Sequence, residues 1–171
     1  MKNLFGTEEW KTLVRFGTEL PDYAVSKDGR VINVKFGKLK VQRLKRAIKL
    51  GTGDSIIVCT QSDYQIDPDL FQDGFDYKAQ SGRANVKRRK ITIATHRAVA
   101  ETWMPIDEYP PSSIAEHWDV LPEPVKQWVR DTAVVDHIDG DPTNNDISNL
   151  RWVTPKENNS HRKEQQLNEK V

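Results

Sequence analysis

One cysteine is all that this chain has. Cys59 alone rules out an internal disulfide and any cysteine-built zinc cage, and it fits a reducing compartment. Long apolar runs are missing too. Mean hydropathy is −0.72 and 30% of residues are charged, so nothing approaches the roughly 20 apolar residues of a membrane-crossing helix. The opening MKNLFGTEEWK has no apolar signal-peptide stretch. A soluble, cytoplasmic chain with no membrane partner is expected. There are no internal repeats and no low-complexity tracts. Net charge is only +1 over 171 residues, which taken whole argues against a polyanionic partner.

Dividing the chain reverses that last inference. Residues 1–100 hold 19 Lys and Arg against 11 Asp and Glu, whereas 101–171 hold 7 against 14. The halves therefore carry +8 and −7, and the whole-chain value hides a basic half. Two clusters carry it. Lys35, Lys38, Lys40, Arg43, Lys45, Arg46 and Lys49 form a run with no acid among them, and Arg83, Lys87, Arg88, Arg89 and Lys90 form a second. On a β-ribbon the first run suits a groove reader that touches phosphates; the second reads as a phosphate clamp or as a charged hairpin tip.

The N-terminal half reads as strands and turns. Tyr23–Val25, a Lys27-Asp28-Gly29 turn and Val31–Val34 make a meander, with a second turn over Lys35–Lys38 and further strands over Ser55–Cys59 and Ile91–Ile93. Asp63–Asp76 is acidic and is expected to leave the sheet as a loop or hairpin excursion. His96–Trp103 has helical apolar spacing, with His96 read as structural. Pro105–Thr132 is rich in Pro and Trp, with short helices expected over Ser113–Val120 and Pro124–Arg130. Nothing in it looks catalytic, and Trp118 and Trp128 suggest a small helical pack or a partner-binding surface.

The chemistry gathers in VVDHIDGDPTNNDISNLRWVTPKENNSHR, residues 134–162. Val134, Val135 and Ile138 bracket Asp136-His137 in a short strand; the next ten or so residues are nearly all turn formers; Leu150, Trp152 and Val153 alternate around Arg151 in a second strand. Thr154-Pro155-Lys156-Glu157 is a helix start, with an N-cap Thr, a Pro at the first position and a Glu three residues after the cap. Two strands and a crossing helix would bring Asp136, His137 and Asn158 together. A carboxylate and an amide oxygen are hard ligands suited to Mg²⁺ or Mn²⁺, and a neutral imidazole beside them can accept a proton from water. Asn149 would tie the loop and orient His137. Trp152 is read as core; Arg151 is read as a phosphate or transition-state contact, or as a solvated strand residue. An EF-hand is excluded, because counting Asp139 as its first position puts Asn144 where Gly is required and Leu150 where the bidentate Glu belongs.

These residues resemble the HNH, or ββα-metal, nuclease motif of phage and intron homing endonucleases. The likeness rests on Asp136-His137, on NNDISNLRWVT (Asn144–Thr154), and on Asn158 twenty-two residues after Asp136. DYAVSKDGRVI (Asp22–Ile32) and THRAVAETW (Thr95–Trp103) are similar, more weakly, to segments that precede the motif in such enzymes. By that resemblance Asp136 and Asn158 are metal ligands, His137 is the general base, and Asn149 supports the loop. The chain departs from the pattern in two respects. His161 stands three residues after Asn158 where many members have a histidine at four, leaving open whether His161 meets metal, phosphate or water, and a C-terminal DNA-reading helix-turn-helix, frequent in the homing enzymes, is expected to be missing.

The expectation is an α+β protein: a β-rich DNA-binding region over 1–104, a helical insertion over 105–132 and an HNH ββα-metal unit over 133–171. The resemblance implies a site-specific DNA endonuclease dependent on Mg²⁺ or Mn²⁺, with no zinc, acting on double-stranded DNA to leave 5′-phosphate and 3′-hydroxyl ends. One site per chain implies a nick unless two chains act as a homodimer. A DNA-binding regulator on a degenerate nuclease scaffold and a restriction-type enzyme are the alternatives.

Overall fold

The computed structural model describes residues 10–49, 51–67, 70 and 89–168; Arg83, Lys87, Arg88 and most of the acidic excursion lie outside these. The α+β reading is borne out, with the N-terminal sheet region resolved into two sheets. Strands β1 (Trp10–Arg15), β2 (Thr18–Ser26), β3 (Val31–Asn33) and β4 (Lys38–Leu39) form an antiparallel meander in sequence order. A second antiparallel sheet holds β5 (Arg43–Ile48), β6 (Ser55–Ile66) and β7 (Arg89–Ala94) in the order β5-β6-β7. The break falls after β4, where Lys40 donates its backbone N–H to Val31 and Ser62 reaches the Val41 carbonyl.

β6 is longer than its apolar run suggested, and it changes partner along its length. Ser55–Gln61 pairs with β5, whereas Gln61–Ile66 pairs with β7. All six β5 residues are exposed. The outer half of the sheet is thus a two-stranded arm, of a kind marginally stable alone, supported at its foot by the three-stranded part. Asp63, expected in a loop, sits inside β6, where pairing with Thr92 of β7 and its ion partners Arg43 and Lys90 hold it.

Helix α1 (Thr95–Trp103) is the hub. Ala98, Val99 and Ala100 are fully buried, and the helix packs on both sheets and on the C-terminal strands. The Trp103 indole N–H donates to the Val25 carbonyl at 3.1 Å, satisfying the polar end of a buried aromatic. The insertion forms a 3-10 turn over Ala115–Val120 and helix α2 (Glu123–Thr132). Trp118 and Val129 enter the common core, but Trp128 stays 60% exposed, so the two tryptophans do not pack together as a pair inside it. Arg130 staples the insertion by pairing with Asp107 and Glu123.

The chain then turns into strand β8 (Val134–His137), antiparallel to β9 (Leu150–Val153), and helix α3 (Pro155–Asn168) follows. Val135, Leu150, Trp152 and Val153 are buried, and the Trp152 indole donates to the Met104 carbonyl at 2.7 Å. Trp152 is core, as read from the sequence. Among the described residues no helix is long and apolar enough to cross a membrane.

Candidate active site

Cross-strand register builds the first half of the site. Asp136 stands directly opposite Arg151, and such facing pairs interact across an antiparallel ribbon. Arg151 donates from Nε at 3.0 Å and Nη2 at 2.8 Å, both to Asp136 Oδ2. The carboxylate is only 6% exposed, and a charge so buried requires a counter-charge. α3 supplies a third group: His161 Nδ1 lies 2.9 Å from the same Oδ2. That approach lacks the alignment of a hydrogen bond, and Nδ1 is a buried nitrogen with no hydrogen-bond partner.

The capping box predicted from Thr154-Pro155-Lys156-Glu157 fixes where α3 begins. Glu157 Oε2 accepts from the Thr154 backbone N–H at 2.6 Å and from its Oγ1 at 2.7 Å, while Thr154 Oγ1 accepts from the Glu157 N–H at 3.3 Å. Burial alone would raise the Glu157 carboxyl, but hydrogen bonds from Thr154 and from Ser113 of the insertion outweigh it and hold the group below its ordinary value. The insertion thereby anchors the helix that carries His161.

His137 has separate partners. It is buried, and its Nε2 lies 3.5 Å from Asn145 Oδ1, a long contact. Asn145 is itself held: Nδ2 donates to Thr60 Oγ1 at 3.0 Å and to the Thr143 carbonyl at 2.9 Å, leaving Oδ1 facing the imidazole. An acceptor at Nε2 favours the tautomer protonated there, with the lone pair on Nδ1. The His96 ring meets the His137 ring edge to face, with centroids 5.1 Å apart. Burial, then the proximity of His137, pushes His96 down to about 3, so His96 is a neutral, structural imidazole.

The turn-rich loop between the strands is closed by Asn149. Its Oδ1 accepts from the Asp139 N–H at 3.0 Å, and its Nδ2 donates to Asp139 Oδ1 and to the Asn144 carbonyl, each at 2.9 Å. Burial opposes ionisation of Asp139, yet hydrogen bonds from Asn144, Asn149 and the Asp141 N–H win and lower its carboxyl. The first sheet buttresses this loop. Ile147 donates its N–H to the Lys27 carbonyl at 2.8 Å, and Gly29, at φ +85°, leaves no room for a Cβ, which would lie 2.8 Å from Asn145 Cβ. The weakly motif-like DYAVSKDGRVI segment therefore meets the loop directly.

Outside the buried pair, a groove of about 510 Å³ runs past Arg151 and His161 between Ser113, Thr154, Lys156 and Ser160. Of the cations read as DNA contacts, Lys35, Lys38, Lys45 and Arg46 are exposed. Lys40 is half-buried over the Tyr23 and Tyr64 rings. Arg43 and Lys90 are already paired with Asp63. Arg89 lies in β7.

The structure thus brings Asp136, Arg151 and His161 together, and gives Asn149 its loop-closing bonds. Asn158 precedes His161 by three residues, which places both on one helix face; its backbone N–H is bonded to the Thr154 carbonyl, and its side chain makes no hydrogen bond among the described residues. Among those residues no three His, Cys, Asp or Glu converge as a metal cluster, so a cation here would rest on Asp136, an α3 donor and non-protein oxygens. Sequence reading missed Asn145 and Thr60. The Asn144-Asn145 pair was the only local signal for the first, and Thr60, 85 residues away, had none.

Comparison with known proteins bears on the same segment. The family model described as HNH endonuclease matches residues 128–160, which bears out the resemblance of the C-terminal unit. A solved structure described as DNA binding and cleavage by the HNH homing endonuclease I-HmuI is 26% identical, with a TM-score of 0.47. The match covers 92% of this chain but 59% of that one, so the chain spans under two-thirds of its length. No curated protein matches.

Proposed function

We propose, for a chain that carries the HNH endonuclease pattern over residues 128–160, that it is a cation-dependent endonuclease hydrolysing phosphodiester bonds of double-stranded DNA. The observation that carries the reading is the convergence of Arg151 and His161 on the buried Asp136 carboxylate, within 3.0 Å, one residue from an imidazole held by an amide. The donor set fits a divalent cation: a carboxylate whose Oδ1 takes no hydrogen bond among the described residues, an imidazole nitrogen beside that carboxylate with no hydrogen-bond partner among them, and an Asn158 amide that makes no hydrogen bond there. A cation bound there would stabilise charge on the scissile phosphate and the leaving oxygen.

The protein groups divide the remaining work. With Nε2–H directed at Asn145 Oδ1, His137 would accept the proton of an attacking water at Nδ1. The hydroxide adds to phosphorus, the P–O3′ bond breaks, and the 3′ oxygen takes up a proton, leaving 5′-phosphate and 3′-hydroxyl ends. Asn149 keeps the loop closed so that His137 stays in place. Arg151, in the groove wall, would hold a non-bridging phosphate oxygen. The exposed cations on the β5–β6 arm and on the β3–β4 turn would track the DNA backbone, and the apolar side chains beside them on the arm (Leu44, Ile48, Val58) would face a groove.

Supercoiled plasmid incubated with the protein and Mg²⁺ or Mn²⁺, followed by sequencing of the ends, tests this. Nicked or linear product is expected, with the rate cut by about 10² to 10⁴ in His137→Ala, the usual range for loss of a general base. Equal cleavage by that variant, or none by the parent chain with either metal, overturns the reading.

A further inference from the structure

We propose that the insertion over residues 105–132 is a docking face for the β5–β6 arm of a second copy of this chain. DNA-free molecules then associate head to tail, and DNA releases them by taking the arm. The inference rests on the arm being the element that tracks DNA, and it adds a means of regulating that element.

The charge of the insertion sets it apart from a nucleic-acid surface. Between Pro105 and Thr132 six Asp and Glu stand against Lys126 and Arg130, and Arg130 is already paired with Asp107 and Glu123. The apolar residues of α2 and its approach divide between core and solvent. Val129 is buried, whereas Trp128 is 60% exposed, Val125 40% and Val120 80%. Val125 and Trp128 stand three positions apart and are neighbours on the helix surface. Asp131 lies a further three positions on and Asp119 adjoins Val120, both exposed. An exposed apolar patch with acids beside it marks a protein-binding surface, and Trp is among the residues that most often anchor one.

The arm is the complementary surface. From Arg43 to Lys49 the sequence has four cations and no acid, and all six β5 residues are exposed. Strand alternation sets Leu44, Arg46 and Ile48 on one face, a row of apolar, basic and apolar side chains. β5 is also the edge of its sheet among the described residues, and the open backbone of an edge strand invites contact from another chain. Its cations repel a second arm placed alongside, while an acidic aromatic face attracts one.

Arm and insertion are both exposed within one chain, so the arm does not cover the insertion of its own molecule. A contact between two unlike patches is heterologous and continues from copy to copy. Exposed charges supply much of the attraction, so salt weakens it. DNA competes for the same cations, and by mass action its binding draws arms off their neighbours.

Sedimentation velocity of the full chain tests the assignment. The parent should form species larger than one chain in about 50 mM salt and return to single chains in about 0.5 M salt. About one equivalent of a short DNA duplex should have the same effect. Trp128→Ser disables the face and Arg46→Glu the arm, and each alone should weaken association by about tenfold or more. Mixed, the two variants should give a discrete two-chain species, because one keeps a working face and the other a working arm. A parent that stays single, a mixture that does not pair, or an assembly that survives the duplex each overturns the proposal. Circular dichroism checks folding, and Val125→Lys decides in place of an unfolded Trp128→Ser. Plasmid cleavage at dilute protein should be the same for Trp128→Ser and the parent. Cleavage without assembly sinks the docking alone, and assembly released by DNA without cleavage sinks the nuclease reading alone.

Discussion

The Asn145 side chain donates to Thr60 Oγ1 at 3.0 Å in a buried contact that spans 85 residues of sequence. It joins the foot of the basic β5–β6 arm to the loop amide that faces the His137 imidazole. Whatever the arm grips is therefore linked, through two side chains, to the orientation of the proposed base.

Breaking that link should show in turnover before it shows in binding. Asn145→Ala removes the acceptor at His137 Nε2 and leaves the Thr60 hydroxyl buried without a partner, at about 1 to 3 kcal/mol of stability. Single-turnover cleavage is expected to slow by about tenfold or more while the DNA dissociation constant stays within about twofold. An equal loss in both would place Asn145 in the DNA interface instead.

Gly29 is expected to tolerate no side chain. Its φ of +85° and the 2.8 Å approach of Asn145 to a built Cβ together put Gly29→Ala at roughly 1 to 3 kcal/mol of destabilisation. Urea denaturation measures it, with Gly37→Ala as the comparison, since Gly37 has a similar φ of +63° but open space around it.

His96 sets an acid limit on the fold. Its folded value, about 3, lies below the ordinary 6.5, so the unfolded chain binds the proton more readily. The stabilisation from keeping His96 neutral is fully present above about pH 6.5 and drains away as pH falls toward 3. Denaturation midpoints between pH 4 and 8 should fall with acid in the parent and fall less steeply in His96→Gln.

The capping box of α3 is expected to behave as one unit. Thr154→Ala and Glu157→Ala should each cost about 1 kcal/mol, and the double variant less than their sum because each removes the other's partner. Thermal melts of the four proteins give the coupling directly.

On the arm, cations that make no ion pair among the described residues should matter more than paired ones. Lys45→Ala and Arg46→Ala should each lower the slope of log affinity against log salt by up to about 0.9. Arg43→Ala should change it less, because Arg43 is already paired with Asp63. A salt-independent affinity would leave the arm without a role in DNA binding.

Much of the C-terminal unit was legible in the sequence because its rules are local. Turn formers from Asp139 to Ser148, a capping box at Thr154 and alternating apolar residues around Arg151 each specify backbone within a few positions. The arm was visible as a run of cations but not as an arm, since nothing in a β pattern says where a long strand exchanges one neighbour for another. Asp63 was misplaced for a related reason: acids read as loop, whereas here two cations and a threonine from neighbouring strands hold one inside a sheet.

The strand-loop-strand order of the C-terminal unit, the helix start and the Asp136-His137 pair thus came from the sequence itself, where each is settled by neighbours within one or two turns of chain. Only the tertiary structure could decide that His161 comes within 2.9 Å of Asp136, that Arg151 covers the same oxygen, and that Thr60 and Gly29 brace the loop over His137. Those contacts join residues 15 to 116 positions apart, and they form where packed helices and sheets deliver side chains to a common point, a matter of three-dimensional geometry that no local spacing encodes.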